Sequence, residues 1–202
     1  MKIGIDLDGV VFDSEKVFRV YSELYDMLEL NQNSKIDNKE VKFQKRFRWT
    51  EEQIADFFKK YHKTIIEKSN FMPGAKTVLK LLKQQGHSLI VITARGSENE
   101  EIIGITEKVL KDNDMDIFDK YYWSTENKDE VCVKENIDIM IDDSCDKCSS
   151  VADKKIKTVY LKDAPCYDLE ESDYIKVLYN WGEIYRYISG QKGTVLFCPS
   201  SL

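Results

Sequence analysis

The sequence predicts a doubly wound α/β fold on a parallel sheet, with a small helical cap inserted after the first strand. Three observations carry this expectation. The chain opens on an apolar strand that ends in Asp6-Leu7-Asp8-Gly9, and near-continuous apolar runs recur at residues 88–93 and 137–141; such runs are the mark of strands buried on both faces. Amphipathic helical spacing alternates with them from residue 73 onward, which is the order of a parallel sheet covered by helices on both sides. Residues 14–72, by contrast, carry helical signals alone. The expected division is therefore a core of residues 1–13 and 73–202 and a cap of residues 14–72.

Each element has its own local reason. Ser14 is a candidate N-cap for a helix whose apolar positions are Val17, Val20, Tyr21 and Leu24. A polar stretch at 31–38 leads to an aromatic segment with Phe43, Phe47 and Trp49, and Thr50-Glu51-Glu52-Gln53 has the form of a capping box opening a helix through Ile54, Phe57, Phe58, Tyr61 and Ile65. Pro73-Gly74 restarts the alternation: a helix over 75–85 stopped by Gly86, the strand at 88–93, a helix over 97–111, a short strand at 120–123, a helix over 128–135, the strand at 137–143, a helix near 145–152 and a strand at 157–161. Residues 174–179 read as a last edge strand, 181–188 as a helix and 190–202 as a loose tail.

Composition excludes several classes. With 202 residues, 42% hydrophobic and 33% charged, the chain supports one packed core plus a small module. A net charge of -6 argues against a nucleic-acid polymer as partner. No apolar run approaches a membrane span, and the N-terminus enters a strand directly, so a cytoplasmic protein without membrane contact is expected. Five cysteines at irregular spacing suit reduced thiols. Cys145 and Cys148 have C-x-x-C spacing but no second pair to complete a tetrahedral site, so they are read as helix thiols. Neither His62 nor His87 stands in a nucleophile constellation.

The candidate site gathers at strand ends, because ligands of open α/β sheets bind outside the carboxyl edge. Asp6 and Asp8, two residues apart, would face the same way, and two neighbouring carboxylates call for a cation between them. Oxygen-only donors favour Mg2+ over zinc. Gly9 lets the backbone approach a ligand. The other strand ends bring Thr93-Ala94-Arg95, Thr125-Glu126-Asn127-Lys128 and Asp142-Asp143 to the same edge. A hydroxyl, an ammonium and further carboxylates are the groups that phosphoryl transfer uses, since that chemistry rests on positioning and on charge stabilisation.

These motifs, in this order, resemble those of the haloacid dehalogenase (HAD) superfamily: D-x-D-x-V after the first strand, a Thr after a hydrophobic strand, a Lys opening a helix and a late acidic pair. The resemblance covers nearly the whole chain outside the cap and implies a Rossmann-like core. It implies that Asp6 is a nucleophile giving an aspartyl-phosphate, and that Asp8 protonates the leaving oxygen and then activates water. Asp8 would then need a raised pKa. It further implies that Thr93, the N–H groups after it at Ala94 and Arg95, and those around Gly9 and Val10 hold phosphate oxygens, that Lys128 balances charge, and that Asp6, Asp8 and either Asp142 or Asp143 hold magnesium.

A finer resemblance, to the 5'(3')-deoxyribonucleotidase branch, rests on DLDGVVFD, the small helical cap, Thr125-x-x-Lys128, the acidic strand end and Trp181-x-Glu183-Ile184. It implies a nucleoside monophosphate substrate, with Phe43, Phe47 and Trp49 available to stack on a base; the other reading of this stripe is cap core. The chain departs from that branch at Glu126, where an Arg is usual. The expected partner is a small phosphorylated compound, a nucleotide first, and a homodimer is left open. The rival readings are a phosphatase of a non-nucleotide metabolite and a catalytically silent phosphate-binding protein.

Overall fold

The computed structural model describes residues 1–37, 40, 43–97, 99–162 and 168–190, apart from the side chains of 43 and 44. Six strands form one sheet: β1 (Lys2–Ile5), β2 (Ser88–Ile92), β3 (Lys120–Tyr122), β4 (Ile139–Asp142), β5 (Lys157–Leu161) and β6 (Ile175–Leu178). Their order is β3-β2-β1-β4-β5-β6, with all pairs parallel. The chain thus builds outward from β1 in one direction and then, from β4, in the other. Between β1 and β4 lies the topological switch point, where such sheets open a crevice for ligands.

Helices α4 (Ala75–Gln84) and α8 (Trp181–Gly190) cover one face, and α6 (Lys128–Glu135) and α7 (Cys145–Asp153) cover the other. The alternation of each strand sorts the side chains. Ile3, Ile5, Val91, Ile139 and Ile141 pack with Leu79, Leu82, Ile184 and Ile188. Ile90, Ile92 and Met140 pack on the other face with Cys132 and Val151. Gly4 stands where a Cβ would lie 2.7 Å from Met140 Sδ, so β1 is bare there to let its neighbour in.

The insertion between β1 and β2 is helical. It holds α1 (Ser14–Leu24), which runs into a π-helical turn at Tyr25–Glu29, then α2 (Phe43–Arg46) and α3 (Glu51–Lys68). The Thr50 capping box is formed on both sides. The two chain crossings into this insertion are paired with each other: Asp13 N–H donates to Asn70 O at 2.8 Å, Met72 N–H donates to Val11 O at 2.8 Å, and the Phe12 and Phe71 rings lie 4.7 Å apart.

Several element ends differ from expectation for local reasons. Ser14 is the first helical residue, following Asp13 at the N-cap position, and its hydroxyl turns to Asp8 instead of capping the helix. The helix expected over 97–111 is α5 (Glu101–Asp112), because residues 94–97 first make a turn in which Ser97 N–H donates to Ala94 O at 3.1 Å. Trp123 lies outside β3. The expected tail lies outside the described residues from 191 on, as do Cys166 and Cys198. Cys132, Cys145 and Cys148 are not in disulfides.

One side chain ties the far end of the chain to the loop after β1. Trp181, at the start of α8, is buried and donates its indole N–H to Val10 O at 2.9 Å. Trp181→Phe keeps the aromatic volume in part but strands a buried carbonyl, so equilibrium urea unfolding is expected to show a loss of about 1–3 kcal/mol.

Candidate active site

Asp6 follows β1 directly, and its backbone N–H donates to Ile141 O at 3.0 Å, so it lies beside the end of β4 at the switch point. Asp142 closes β4 and Asp143 follows it. One carboxylate oxygen from each of Asp6, Asp142 and Asp143 lies within 4.8 Å of the others. Lys128, the first residue of α6, reaches into this cluster: its ammonium is 2.9 Å from Asp6 Oδ1 and 2.6 Å from Asp142 Oδ2. All three partners are buried, which is rare for charged groups unless they are paired.

One ammonium does not balance three carboxylates, and the proton affinities record it. Burial pushes Asp6 up to about 6, with Lys128 opposing and Asp142 and Asp8 adding to the rise. Burial, then Asp142 and Asp6, push Asp143 well above the ordinary carboxylate range. Burial alone would lower the Lys128 ammonium, but Asp142 and Asp6 outweigh it and hold it above its usual value. Asp142 has both oxygens engaged, Oδ2 by Lys128 and Oδ1 by the Ser144 N–H at 2.9 Å. An all-oxygen cluster with surplus negative charge fits a hard dication such as magnesium. Gly9 has a φ of +72°, and a Cβ there would lie 2.0 Å from Asp143 Oδ2. Its lack of a side chain makes room for a carboxylate of the cluster.

Asp8 is placed apart from that cluster. Arg95 grips it with a guanidinium fork, Nε donating to Oδ2 at 3.0 Å and Nη2 to Oδ1, and Ser14 Oγ donates to Oδ1 at 2.5 Å. Arg95 is itself buried, with Nη1 donating to Thr106 Oγ1 at 3.1 Å and its guanidinium 4.8 Å from the Phe12 ring centre. This corrects two expectations. Burial would raise Asp8, but Arg95 and Ser14 outweigh it and hold the carboxyl below its ordinary value, so the raised carboxyls are Asp6 and Asp143. Arg95, expected to offer its backbone N–H to phosphate, donates that N–H to Thr93 Oγ1 at 3.2 Å and commits its side chain to Asp8.

The backbone donors expected after β1 are also committed. Gly9 N–H donates to Phe12 O at 2.9 Å and Val10 N–H turns to Leu7 O at 3.4 Å, both within the turn, while the Val10 side chain is fully buried in the core. Thr93 is buried beyond β2, with its N–H on Tyr122 O at 3.0 Å and its hydroxyl accepting from Arg95 N–H at 3.2 Å; Ala94, half-buried, sits between them. Glu126 stands exposed near this loop and pairs with Lys147 at 3.1 Å. The acid is thereby countered by a nearby cation.

Phe47 and Trp49 of the aromatic stripe are core. Trp49 stacks on Phe47 at 4.6 Å and 13°, meets Tyr25 edge-on and Phe57 at a tilt, and donates its indole N–H to buried Asp26 at 2.8 Å. Its faces and its donor are taken, which corrects the expectation that it is offered to a nucleobase. Phe43 opens α2, and its side chain lies outside the described residues. Sequence reading missed Ser14 and the true partner of Arg95. The pair spans 87 residues and leaves no local signal.

The fold is an α/β fold of the kind seen in solved haloacid dehalogenase-like proteins. The comparisons agree. A haloacid dehalogenase-like hydrolase of Streptococcus pneumoniae superposes with a TM-score of 0.68 at 17% identity, covering 93% of this chain and 97% of that one. A magnesium-bound structure of a "putative HAD-hydrolase", YfnB of Bacillus subtilis, gives a TM-score of 0.60 at 15% identity over 93% of this chain and 97% of that one. In sequence, a protein of Halalkalibacterium halodurans named "Putative nucleotidase" is 25% identical over 188 residues, 93% of this chain and 92% of the relative. No family model matches.

Trp49→Ala opens a cavity in the cap core and leaves Asp26 short of a donor. It is expected to destabilise the protein by about 3–5 kcal/mol, read as a lowered denaturant midpoint.

Proposed function

We propose that the protein is a magnesium-dependent phosphomonoesterase that works through an aspartyl-phosphate on Asp6. The observation that carries this reading is the cluster of Asp6, Asp142 and Asp143 at the sheet's switch point, with Lys128 paired to Asp6 and Asp142. Asp6 and Asp143, with the carbonyl oxygen of Asp8, would hold the metal, and Asp142 would orient Lys128, since both its oxygens are engaged. Bound there, magnesium would offset the charge of the cluster and of the substrate phosphate.

An Asp6 oxygen attacks phosphorus and the bond from phosphorus to the ester oxygen breaks; the leaving oxygen takes a proton from Asp8 and departs as the alcohol, so Asp8 has to enter this step protonated. Lys128, beside Asp6, stabilises the charge spread over the equatorial oxygens. Asp8, held ionised by Arg95 and Ser14, has the form of a base, suited to taking a proton from the water that later splits the acyl-phosphate. To protonate the leaving oxygen first, Asp8 would have to release the Arg95 fork. Thr93 lies at the neighbouring strand end, where it would help to close the phosphate site.

Nucleoside monophosphates are the substrate class supported by the name of the Halalkalibacterium relative. The burial of Trp49 favours a second reading, a phosphorylated sugar or similar metabolite, because it removes the base-stacking surface.

Two measurements test the chemistry. Asp6→Asn is expected to keep the fold and abolish phosphate release, because a neutral amide does not form the acyl-phosphate; turnover within tenfold of the parent protein counts against the nucleophile. Activity is expected to vanish in EDTA and to return with excess magnesium, and full activity after exhaustive chelation counts against the metal.

A further inference from the structure

The cysteine pair that completes no zinc site stands next to the acidic cluster. Cys145 is the first residue of α7, and Cys148 lies one turn on, its N–H donating to Ser144 O at 2.9 Å. Neither is in a disulfide; Cys145 is half-buried, whereas Cys148 is fully buried and its Sγ donates to Asp142 O at 3.6 Å. A soluble reagent therefore meets Cys145, and Cys148 is open only to its neighbour.

Helix geometry sets the terms on which the two sulfurs join. Residues three apart on an α-helix have Cα atoms about 5 Å apart, inside the disulfide range, but Cβ atoms about 5–6 Å apart, against the roughly 4 Å that the bond needs. The bond thus forms only if the first turn tightens, and the first turn has the freedom to do so, since its N–H groups have no partner within the helix. Three ties carry such a shift to the site. Asp143 stands two residues before Cys145, the Ser144 N–H holds Asp142 Oδ1 at 2.9 Å, and Lys147, between the two cysteines, donates to Glu126 O at 2.7 Å, two residues before Lys128. Cys148, drawn towards Cys145, would also take its thiol donor away from Asp142 O.

We propose that Cys145 and Cys148 form a reversible regulatory disulfide, made by a small oxidised disulfide of the glutathione class, which disarms the neighbouring metal cluster by drawing Asp143 out of it. The Cys145 thiol gives its proton to solvent and its sulfur attacks one sulfur of the reagent, whose S–S bond breaks and releases one thiolate, which takes up a proton. Cys148 then loses its proton, its sulfur attacks Cys145 Sγ, the mixed disulfide breaks and the second reagent thiol leaves. Two protein thiols lose two electrons, and one reagent disulfide is reduced to two thiols. Burial pushes the Cys148 thiol well above its ordinary range, so the second step waits on the opening of this turn. A bond that strains its helix is readily reduced, which makes the change reversible. The loss of activity rests on the phosphomonoesterase reading; the bond itself does not.

The test treats the reduced parent protein, Cys145→Ser and Cys148→Ala with oxidised glutathione, blocks the remaining thiols and maps the tryptic peptides. Cleavage after Lys147 parts the two cysteines, so the bond is read as peptide 135–147 joined to peptide 148–154. That linkage is expected in the parent protein, a glutathione adduct on Cys145 in Cys148→Ala, and neither in Cys145→Ser. Magnesium affinity, measured by titration calorimetry, is expected to fall about tenfold in the oxidised parent protein and to recover with dithiothreitol, while Cys145→Ser is indifferent to the reagent. Phosphate release from a panel of phosphate esters is expected to follow the same pattern. A parent protein in which Cys145 and Cys148 stay unlinked, or in which they link with magnesium affinity unchanged, overturns the proposal. If affinity falls on oxidation while no form releases phosphate, the regulatory disulfide stands and the hydrolytic reading fails alone; magnesium that binds neither the reduced nor the oxidised form overturns both.

Discussion

Four carboxylates meet two buried cations at one edge of the sheet, and this unequal balance governs the site. At an effective dielectric of about 20, like charges 4–5 Å apart repel by roughly 3–4 kcal/mol, so such a cluster persists only where the fold leaves no alternative. Two devices divide the charge. Lys128 stands between Asp6 and Asp142, and Arg95 draws Asp8 away to its own pair with Ser14. What is left uncompensated falls on Asp143 and Asp6, whose proton affinities rise for that reason. The same imbalance makes the cluster a receptor for a dication, so electrostatic cost and capacity to bind metal have one origin.

The rest of the core serves this balance. Parallel strands put β1 and β4 side by side with their carboxyl ends level, and the bond from Asp6 N–H to Ile141 O sets the two acidic ends in register. Lys128 can reach both because α6 begins at it, so the ammonium rises from a fixed helical start. Gly9 leaves open the volume that Asp143 enters, and Trp181 holds the following carbonyl from the opposite end of the chain. These supports are apolar or backbone in kind. A charged cluster in the interior is held by a frame that is itself uncharged.

Much of this was legible in the sequence, and the limits have physical causes. Strand runs, the Thr50 capping box and the start of α6 at Lys128 are local patterns, and local patterns survive in one dimension. The convergence of Asp6, Lys128 and Asp142 follows once the strands are taken as parallel. The pairing of Arg95 with Asp8 does not, because it depends on which way a long side chain turns across the edge. Ser14 satisfies the description of a helix cap, yet its hydroxyl serves Asp8. Trp49 was readable as either a surface or a core ring. Asp26 decided it, a buried acid that takes the indole N–H at 2.8 Å and that no pattern ties to position 49.

The paired crossings at Asp13–Asn70 and Val11–Met72 make the insertion a loop whose two ends are fastened together at its base. Closing a chain segment costs free energy that grows only with the logarithm of its length, about 0.6 kcal/mol for each doubling. Once the base is fastened, lengthening what it carries adds little to the closure cost. Two parts of the insertion are tied to the core beyond that base: the first turn of α1, where Ser14 belongs to the insertion and to the site at once, and α3, which packs against α5 of the core.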